Sequence, residues 1–181
     1  MDIEKAKLGR LLFHDKILSA NRNIACATCH NHQFGGSDGL SLGIGEGGVG
    51  IGPKRTAGVG DDKIKKRIPR NSLALWNLGF KEITTLLHDG RVTKSNIFDN
   101  NFNTPAQEAL PKGLENIVAV QALFPMTRQF EMAGNPGENE IIGLVSKVGK
   151  DSMRIDAVWP VITNRIRAIP EYVELFKSTF D

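Results

Sequence analysis

The stretch Cys26-Ala27-Thr28-Cys29-His30 contains both cysteines of this 181-residue chain, and it decides the fold class. The spacing Cys-x-x-Cys-His is the attachment signature of c-type haem. In such a site the two thiols add to the vinyl groups of the porphyrin, and the adjacent imidazole binds the iron. The motif therefore predicts a covalent haem with Cys26 and Cys29 as tethers and His30 as the axial iron ligand.

Three other kinds of site use two cysteines at this spacing. A thioredoxin-like redox pair requires a βαβ context, which the sequence around the motif does not show. A structural zinc site, with His30 or His32 as third ligand, still needs a fourth, and His14 and His88 are not at finger-like spacing. A disulfide across two intervening residues is the third alternative, and it would add little stability. We favour haem.

The composition predicts one globular domain. Hydrophobic residues make up 40% of the chain and charged residues 24%, which suffices for a core in a chain of this length. The formal net charge is only +3, and no basic stripe with interleaved aromatic residues is present, so we expect no nucleic-acid partner. No stretch approaches the roughly 20 apolar residues that span a bilayer, so we expect no membrane span.

Hydrophobic periodicity predicts a mainly α fold with long loops. Residues 35–60 are rich in glycine and show little periodicity, which predicts a long functional loop where backbone approaches a flat ligand closely. No alternating strand pattern stands out. Helices are expected over residues 3–13, from about 24 through the haem motif, and over 72–79, 114–124, 138–148, 156–168 (interrupted by Pro160) and 170–180.

Besides the Cys-x-x-Cys-His motif, short sequence segments spread over nearly the whole chain are informative. In order, they are residues 8–13 (LGRLLF), 18–19 (LS), 24–30 (IACATCH), 35–39 (GGSDG), 69–71 (PRN), 77 and 80 (N and F), 89–91 (DGR), 131–132 (EM) and 170–176 (PEYVELF). This ordered set resembles the N-terminal, peroxidatic domain of the bacterial di-haem cytochrome c peroxidases and their MauG-type relatives. The resemblance implies a cytochrome c-like haem domain with long glycine-rich loops, here occupying residues 1–181 as a single domain.

The same resemblance implies an activity, a compartment and partners. Members of the family reduce hydrogen peroxide with electrons from a small cytochrome c or cupredoxin. The glutamate of their Glu-Met pair, here Glu131, moves a proton between the two peroxide oxygens, as a carboxylate near a metal can. The first residues do not form a signal peptide. Because c-type haem is attached after export, we expect a periplasmic protein whose leader was removed or lies outside this sequence.

Three more residues have roles that the resemblance implies. Arg70 is expected to pair with a haem propionate, and Arg91, in a tight Asp89-Gly90-Arg91 turn, either to form a local salt bridge or to approach the haem. Asn71 is a candidate calcium ligand, since its side-chain oxygen is a hard donor. Solvated turn residues are the alternative for all three.

The chain departs from the family pattern at the distal loop and at a proposed electron relay. No histidine occurs between His32 and His88, and the segment Gly45-Glu46-Gly47-Gly48 lies where family members often carry the histidine that caps the resting iron. An iron that lacks this cap would rest five-coordinate. The relay tryptophan that precedes Asp-Gly-Arg in the family is His88 here. Trp76 does not align with it and is expected in the core.

The chain also has one Cys-x-x-Cys-His motif where the family has two. We expect that the second haem domain lies in a C-terminal half absent from this sequence, with a second chain or a mono-haem variant as alternatives. Two other functions stay open: a MauG-type di-haem oxidase that acts on a protein or peptide, and a mono-haem electron-transfer cytochrome. The latter would need a sixth ligand such as Met126, Met132 or Met153.

Overall fold

The computed structural model describes residues 2–146 and 155–180, and in this part of the chain helices predominate over strands. The mainly α class is therefore confirmed. The helices are α1 (Ile3–His14), α2 (Cys26–Cys29), α3 (Ile117–Gln121), α4 (Glu140–Ser146), α5 (Val158–Arg167) and α6 (Pro170–Phe180). The strands are β1 (Thr85–Leu86), β2 (Val92–Lys94) and β3 (Phe102–Asn103), which form one antiparallel sheet in the order β1-β2-β3.

The two terminal helices lie where periodicity predicts them. The Asp2 carboxylate caps α1 by accepting the Lys5 amide at 3.1 Å, and Pro170 occupies the first position of α6, where a missing amide costs nothing. The Tyr172 hydroxyl donates to Asp15 Oδ2 at 2.6 Å and so joins α6 to the end of α1. Predicted helices over 3–13 and 170–180 are confirmed.

The predicted helices in the second half are shorter or differently placed. The Asn116 side chain accepts the amides of Val118 and Ala119, so α3 begins later than predicted. Pro160 lies in the first turn of α5, where proline removes no helical hydrogen bond, and the predicted interruption of this helix is wrong. Helix α4 covers part of the predicted 138–148 segment, and the rest of that segment from residue 147 lies outside the described residues.

The predicted helix over 72–79 is wrong. Residues 72–75 have no regular secondary structure, residues 76–79 form turns, and Asn77 has a left-handed φ of 60°. Its backbone carbonyls serve residues far away in sequence, since Leu73 O and Ser72 O both accept side-chain hydrogen bonds. Trp76 is 59% exposed, so its predicted place in the core is also wrong.

The small sheet is an element that periodicity does not predict. Strands of two or three residues are too short to show an alternating pattern. The loop between β1 and β2 contains the Asp89-Gly90-Arg91 segment, where Gly90 has a left-handed φ of 65°, so the predicted tight turn is confirmed. Leu86, Val92 and Phe102, one from each strand, are buried against α3.

Two clusters of buried hydrophobic residues form the core of the described part of the chain. The first joins the sheet to α3, and the second joins α4 and α5 to Met126 and Ala133. Trp159 packs against both clusters and donates from Nε1 to Leu123 O at 2.8 Å. Ala133 ends a single π-helical turn, Gln129–Ala133, so this turn rests on the second cluster.

Candidate haem site

Helix α2 presents the two cysteines of the Cys-x-x-Cys-His motif as free thiols. The Thr28 hydroxyl accepts the Ala25 amide at 3.1 Å and so stabilises the first turn. Burial raises the pKa of both thiols, that of Cys29 to about 11, and the nearby Arg55 guanidinium opposes the rise at Cys29. Both thiols are therefore neutral, and neither is in a disulfide.

His30 is held in one tautomer by a backbone carbonyl. Its Nδ1 lies 2.8 Å from Leu73 O, and since a carbonyl only accepts, Nδ1 carries the proton and donates. Burial lowers the pKa of His30, so the ring is neutral and the Nε2 lone pair is available to a metal. A hydrogen bond from the second ring nitrogen to a carbonyl is the usual way to orient a metal-binding histidine.

A web of short hydrogen bonds fixes the loop behind α2. The Ser72 hydroxyl donates to Cys29 O at 2.5 Å. The Ser37 hydroxyl lies 2.8 Å from Ser72 O and 3.0 Å from Asn71 Oδ1. Asn71 Nδ2 donates to Leu40 O at 2.7 Å. These bonds join the Gly-Gly-Ser-Asp-Gly segment to the Pro-Arg-Asn segment, next to the haem motif.

The glycine-rich segment contacts both Cys29 and Glu131. Cys29 Sγ lies 3.9 Å from Ile44 O, and the Glu46 amide donates to Glu131 O at 3.0 Å. Between them, Gly45 abuts the Phe130 backbone so closely that a Cβ on Gly45 would lie 1.9 Å from Phe130 O. Glycine is required here by contact between two backbones rather than by conformation.

Glu131 lies on the π-helical turn, a geometry that is frequent at functional sites. Ala133 N bonds to Arg128 O at 3.0 Å and Gly134 N to Gln129 O at 3.0 Å, which closes the wide turn. Burial raises the pKa of Glu131, and the positive charges of Arg128 and Arg91 partly oppose that rise. The Glu131 charge also raises the pKa of Cys29, so the carboxyl group lies within electrostatic range of the haem motif.

The side chain of Glu46 faces a cluster of asparagines. It is 7% exposed, and its Oε1 accepts from Asn21 Nδ2 at 2.8 Å and from Asn23 Nδ2 at 2.5 Å. Asn21 Nδ2 also lies 2.8 Å from Glu138 Oε2. The side chain of Glu46 thus takes part in a structural hydrogen-bond network.

The two arginines expected near the haem have different surroundings. Arg91 forms a salt bridge with Asp89, donating from Nε at 2.8 Å, and this hydrogen bond lowers the pKa of Asp89 to about 2. The local salt bridge predicted for Arg91 is confirmed. Arg70 is exposed, and its backbone carbonyl accepts the Gly43 amide at 3.3 Å. Both side chains retain solvent-facing surface on segments adjoining the site.

The side chains of the other candidate iron ligands and of the remaining histidines discussed above take no part in these contacts. Met126 and Met132 are buried, Met126 within the second hydrophobic cluster, whereas Met153 lies outside the described residues. His32 and His88 are exposed. Among residues 2–146 and 155–180, no group of three or more His, Cys, Asp or Glu side chains is arranged to hold a metal ion.

Two buried charged residues near the haem motif are absent from the sequence-based predictions. Arg55 is 6% exposed and Asp38 is fully buried, with its Oδ1 accepting the Leu40 amide at 3.0 Å. Asp38 Oδ2 has no hydrogen-bond partner among the described residues. The only hint in the sequence is that each charged residue lies inside a glycine-rich segment, where loop backbone leaves carbonyls and amides to be satisfied.

The donor set fits a covalent c-type haem. Two unpaired thiols lie three residues apart on one helical turn, and the next residue offers an imidazole Nε2 whose other nitrogen is already bonded. A profile of the di-haem cytochrome c peroxidase family matches residues 3–181. This chain belongs to the di-haem cytochrome c peroxidase family. Membership implies a c-type haem and an oxidoreductase, in agreement with these residues.

Individual members of the di-haem cytochrome c peroxidase family match over shorter segments. The methylamine utilization protein MauG of Methylorubrum extorquens is 48% identical over 56 residues, which are 31% of this chain and 16% of that protein. Cytochrome c peroxidase Ccp of Escherichia coli is 48% identical over 52 residues, 29% of this chain and 11% of that protein. The MauG of Methylophilus methylotrophus is 48% identical over 42 residues, 23% and 12% of the two chains.

In each of these comparisons the matched segment is thus less than one fifth of the relative's length. None of the helices in the described ranges has the length and apolar character that crossing a bilayer requires.

Proposed function

We propose that this chain carries the peroxidatic haem of a di-haem cytochrome c peroxidase, tethered by Cys26 and Cys29 and ligated by His30, with Glu131 as the acid–base group. The observation that carries the proposal is the position of Glu131. Its carboxyl group is desolvated, it lies within electrostatic range of Cys29, and its backbone is bonded to the loop that also contacts Cys29. A carboxyl with a raised pKa beside a cofactor-binding motif is typical of an acid–base catalyst.

When bound, the haem supplies an iron coordination position for hydrogen peroxide and a route for electrons. Reduction of the peroxide consumes two electrons and two protons and yields two waters. The ionised Glu131 carboxylate accepts the proton from one peroxide oxygen and returns it to the other, which then leaves as water. Since burial raises the pKa of Glu131, its carboxyl releases and takes up this proton nearer to neutral pH than an exposed glutamate does.

The chain's other residues orient the reacting groups. The Leu73 carbonyl holds the His30 imidazole in the tautomer that presents Nε2. Arg70 and Arg91 are assigned to the haem propionates, for which their exposed guanidinium groups are suited. Asn71 is assigned to calcium. Its Oδ1 lies 3.0 Å from Ser37 Oγ, and a carbonyl oxygen has two lone pairs, so one can face a cation.

The electrons come from outside this domain. A small cytochrome c or cupredoxin is the proposed donor, in the periplasm, and a second haem domain on a C-terminal half or another chain passes the electrons to this one. The family description, which names two haems, supports this arrangement, because this sequence contains one attachment motif.

A MauG-type oxidation of a protein or peptide is the second candidate. Two of the relatives are named methylamine utilization protein MauG. Family members often carry the capping histidine in the segment that here contains Glu46, and the Glu46 side chain is bonded to Asn21 and Asn23. With no imidazole in this loop, no histidine of the loop would occupy the iron coordination position that either candidate reaction needs.

The spectrum of the purified ferric protein tests the proposal. High-spin iron that reacts with hydrogen peroxide supports a peroxidase or MauG-type enzyme. Low-spin six-coordinate iron that is inert to peroxide in both redox states contradicts it and favours a mono-haem electron carrier. Turnover with a reduced small cytochrome c or cupredoxin, measured against oxidation of a protein substrate, then separates the two enzymes.

A further inference from the structure

Arg55 is a buried arginine at the centre of the glycine-rich loop. It donates from Nε to Ile44 O, from Nη2 to Gly45 O and from Nη1 to Gly50 O, each at 2.7 Å. The loop closes tightly around it, since a Cβ on Gly48 would lie 2.9 Å from Nη2. One side chain therefore fixes the backbone carbonyls of three residues, Ile44, Gly45 and Gly50.

Two of the residues that Arg55 holds, Ile44 and Gly45, contact the haem motif and the turn that carries Glu131. Ile44 O lies 3.9 Å from Cys29 Sγ as well as accepting from Arg55. Gly45 is in close contact with the backbone of the π-helical turn. The next amide in the chain, Glu46 N, donates to Glu131 O. A path of direct contacts thus runs from the guanidinium through two residues to the backbone of Glu131.

The guanidinium of Arg55 lies near two acidic side chains. Burial lowers the pKa of Arg55, and the charges of Asp38 and Glu46 act in the opposite direction. Arginine keeps its charge even when desolvated, and its planar fork reaches several carbonyls at once. A lysine has one compact ammonium group and cannot span three carbonyls in the same way.

We infer that Arg55 is a positioning residue for peroxide chemistry: it holds the Ile44–Glu46 strip against the π-helical turn and thereby sets the place of the Glu131 carboxyl group. The inference rests on the proposed function of Glu131. It assigns Arg55 no contact with peroxide or haem. Loss of the guanidinium frees the strip, lets water reach Glu131 and moves its carboxyl from the position where it transfers the proton.

The test compares Arg55→Gln and Arg55→Lys in the haem-loaded protein, with Arg67→Gln as the matched control. Arg67 is exposed and makes one backbone contact, from Nη1 to Leu42 O at 3.2 Å. We expect Arg55→Gln to lower kcat for peroxide about tenfold or more with haem content unchanged, Arg55→Lys to lose less, and Arg67→Gln to match the parent. The acid limb of the pH–rate profile should move toward lower pH in Arg55→Gln, because solvated Glu131 ionises more easily.

Two further measurements separate this inference from the proposed function. Hydrogen exchange of the Glu46 amide should accelerate in Arg55→Gln, irrespective of any reaction. Arg55→Gln should also have no additional effect on turnover in a Glu131→Gln background, since the two residues act as one unit. Full turnover of Glu131→Gln alone would refute the proposed function.

With Glu131→Gln impaired, two results would overturn the role of Arg55. One is equal turnover, pH profile and Glu46 exchange in Arg55→Gln and the parent. The other is faster exchange with unchanged turnover and pH profile, which would make Arg55 a loop anchor only. If Arg55→Gln does not fold, Arg55→Lys gives the same readouts.

Discussion

A Cβ on Gly45 would lie 1.9 Å from the Phe130 carbonyl oxygen, so the glycine-rich loop and the turn that carries Glu131 are in direct backbone contact. No side chain intervenes to absorb a change at this point. The position of Glu131 relative to Cys29 is therefore determined by the fit of two backbones, and any added atom must separate them.

Gly45→Ala should separate the loop from the π-helical turn. We expect it to lower the free energy of unfolding by about 1–3 kcal/mol. Peroxide turnover should fall about tenfold to a hundredfold, because a shift on the order of 1 Å misplaces the acid–base group. Gly9→Ala is the control: a Cβ there meets nothing within 4 Å, and alanine in helix α1 should stabilise by up to about 1 kcal/mol. Denaturant unfolding and steady-state kinetics measure both effects, and equal behaviour of the two variants would contradict the contact.

Glu131→Gln should lower peroxide turnover about a hundredfold or more while haem content stays the same. The same change should raise stability near neutral pH. Burial raises the pKa of Glu131 in the folded state above the ordinary 4.5 of the unfolded state. At pH values between the unfolded-state pKa and the folded-state pKa, the folded state therefore binds more protons than the unfolded state. The free energy of unfolding of the parent therefore falls as pH rises through this window, and glutamine removes that loss.

Unfolding of Glu131→Gln and the parent across this pH range measures the difference, with the exposed Glu82→Gln as control. A constant difference in stability at all pH values would show that Glu131 is not desolvated in solution.

The pH profile of turnover should depend on Arg128. If Glu131 is the base, as proposed, turnover should fall as pH drops through its pKa, with a midpoint above the ordinary value of 4.5 for glutamate. The positive charges of Arg128 and Arg91 lower this pKa, so Arg128→Gln should move the acid midpoint to higher pH. Arg167→Gln, on the exposed face of α5, should leave the midpoint in place. A midpoint unaffected by Arg128→Gln would remove this charge from the environment of Glu131.

Glu46→His tests which way the glycine-rich loop directs its side chain. Because Glu46 accepts from Asn21 and Asn23, we expect the imidazole to remain among the asparagines and the iron to keep its high-spin spectrum. Stability should fall by about 1–3 kcal/mol, since a buried amide donor is left without its acceptor. Glu46→Gln keeps an acceptor oxygen and should lose less. Conversion to low-spin iron would show instead that this side chain faces the distal site.

Local signals explain most of what the sequence predicts correctly. The Cys26–His30 motif, the capping Asp2 and Pro170 at the start of α6 all act within one or two turns of their own position. The ordered set of short segments identifies the family and draws attention to Glu131, which by itself is an ordinary glutamate.

The features that sequence does not predict depend on distant partners. Residues 72–79 have helical spacing, yet their carbonyls accept from His30 and Ser37, more than thirty positions earlier. Arg55 lies in a polar, glycine-rich segment typical of an exposed loop, and only folding surrounds it with carbonyls. Such long-range competition for backbone groups outweighs local propensity.

The hydrogen bond from His30 to Leu73 spans 43 positions, which has a consequence for biosynthesis. An exported chain in which the segment around Leu73 has not yet folded against residues 26–30 already contains both thiols but has nothing to orient the imidazole. Thioether formation can therefore precede correct ligation, and the ring is locked only when the second segment docks. The absorption spectrum of histidine-ligated iron would then appear later than the thioether bonds, and it would report that the fold is complete.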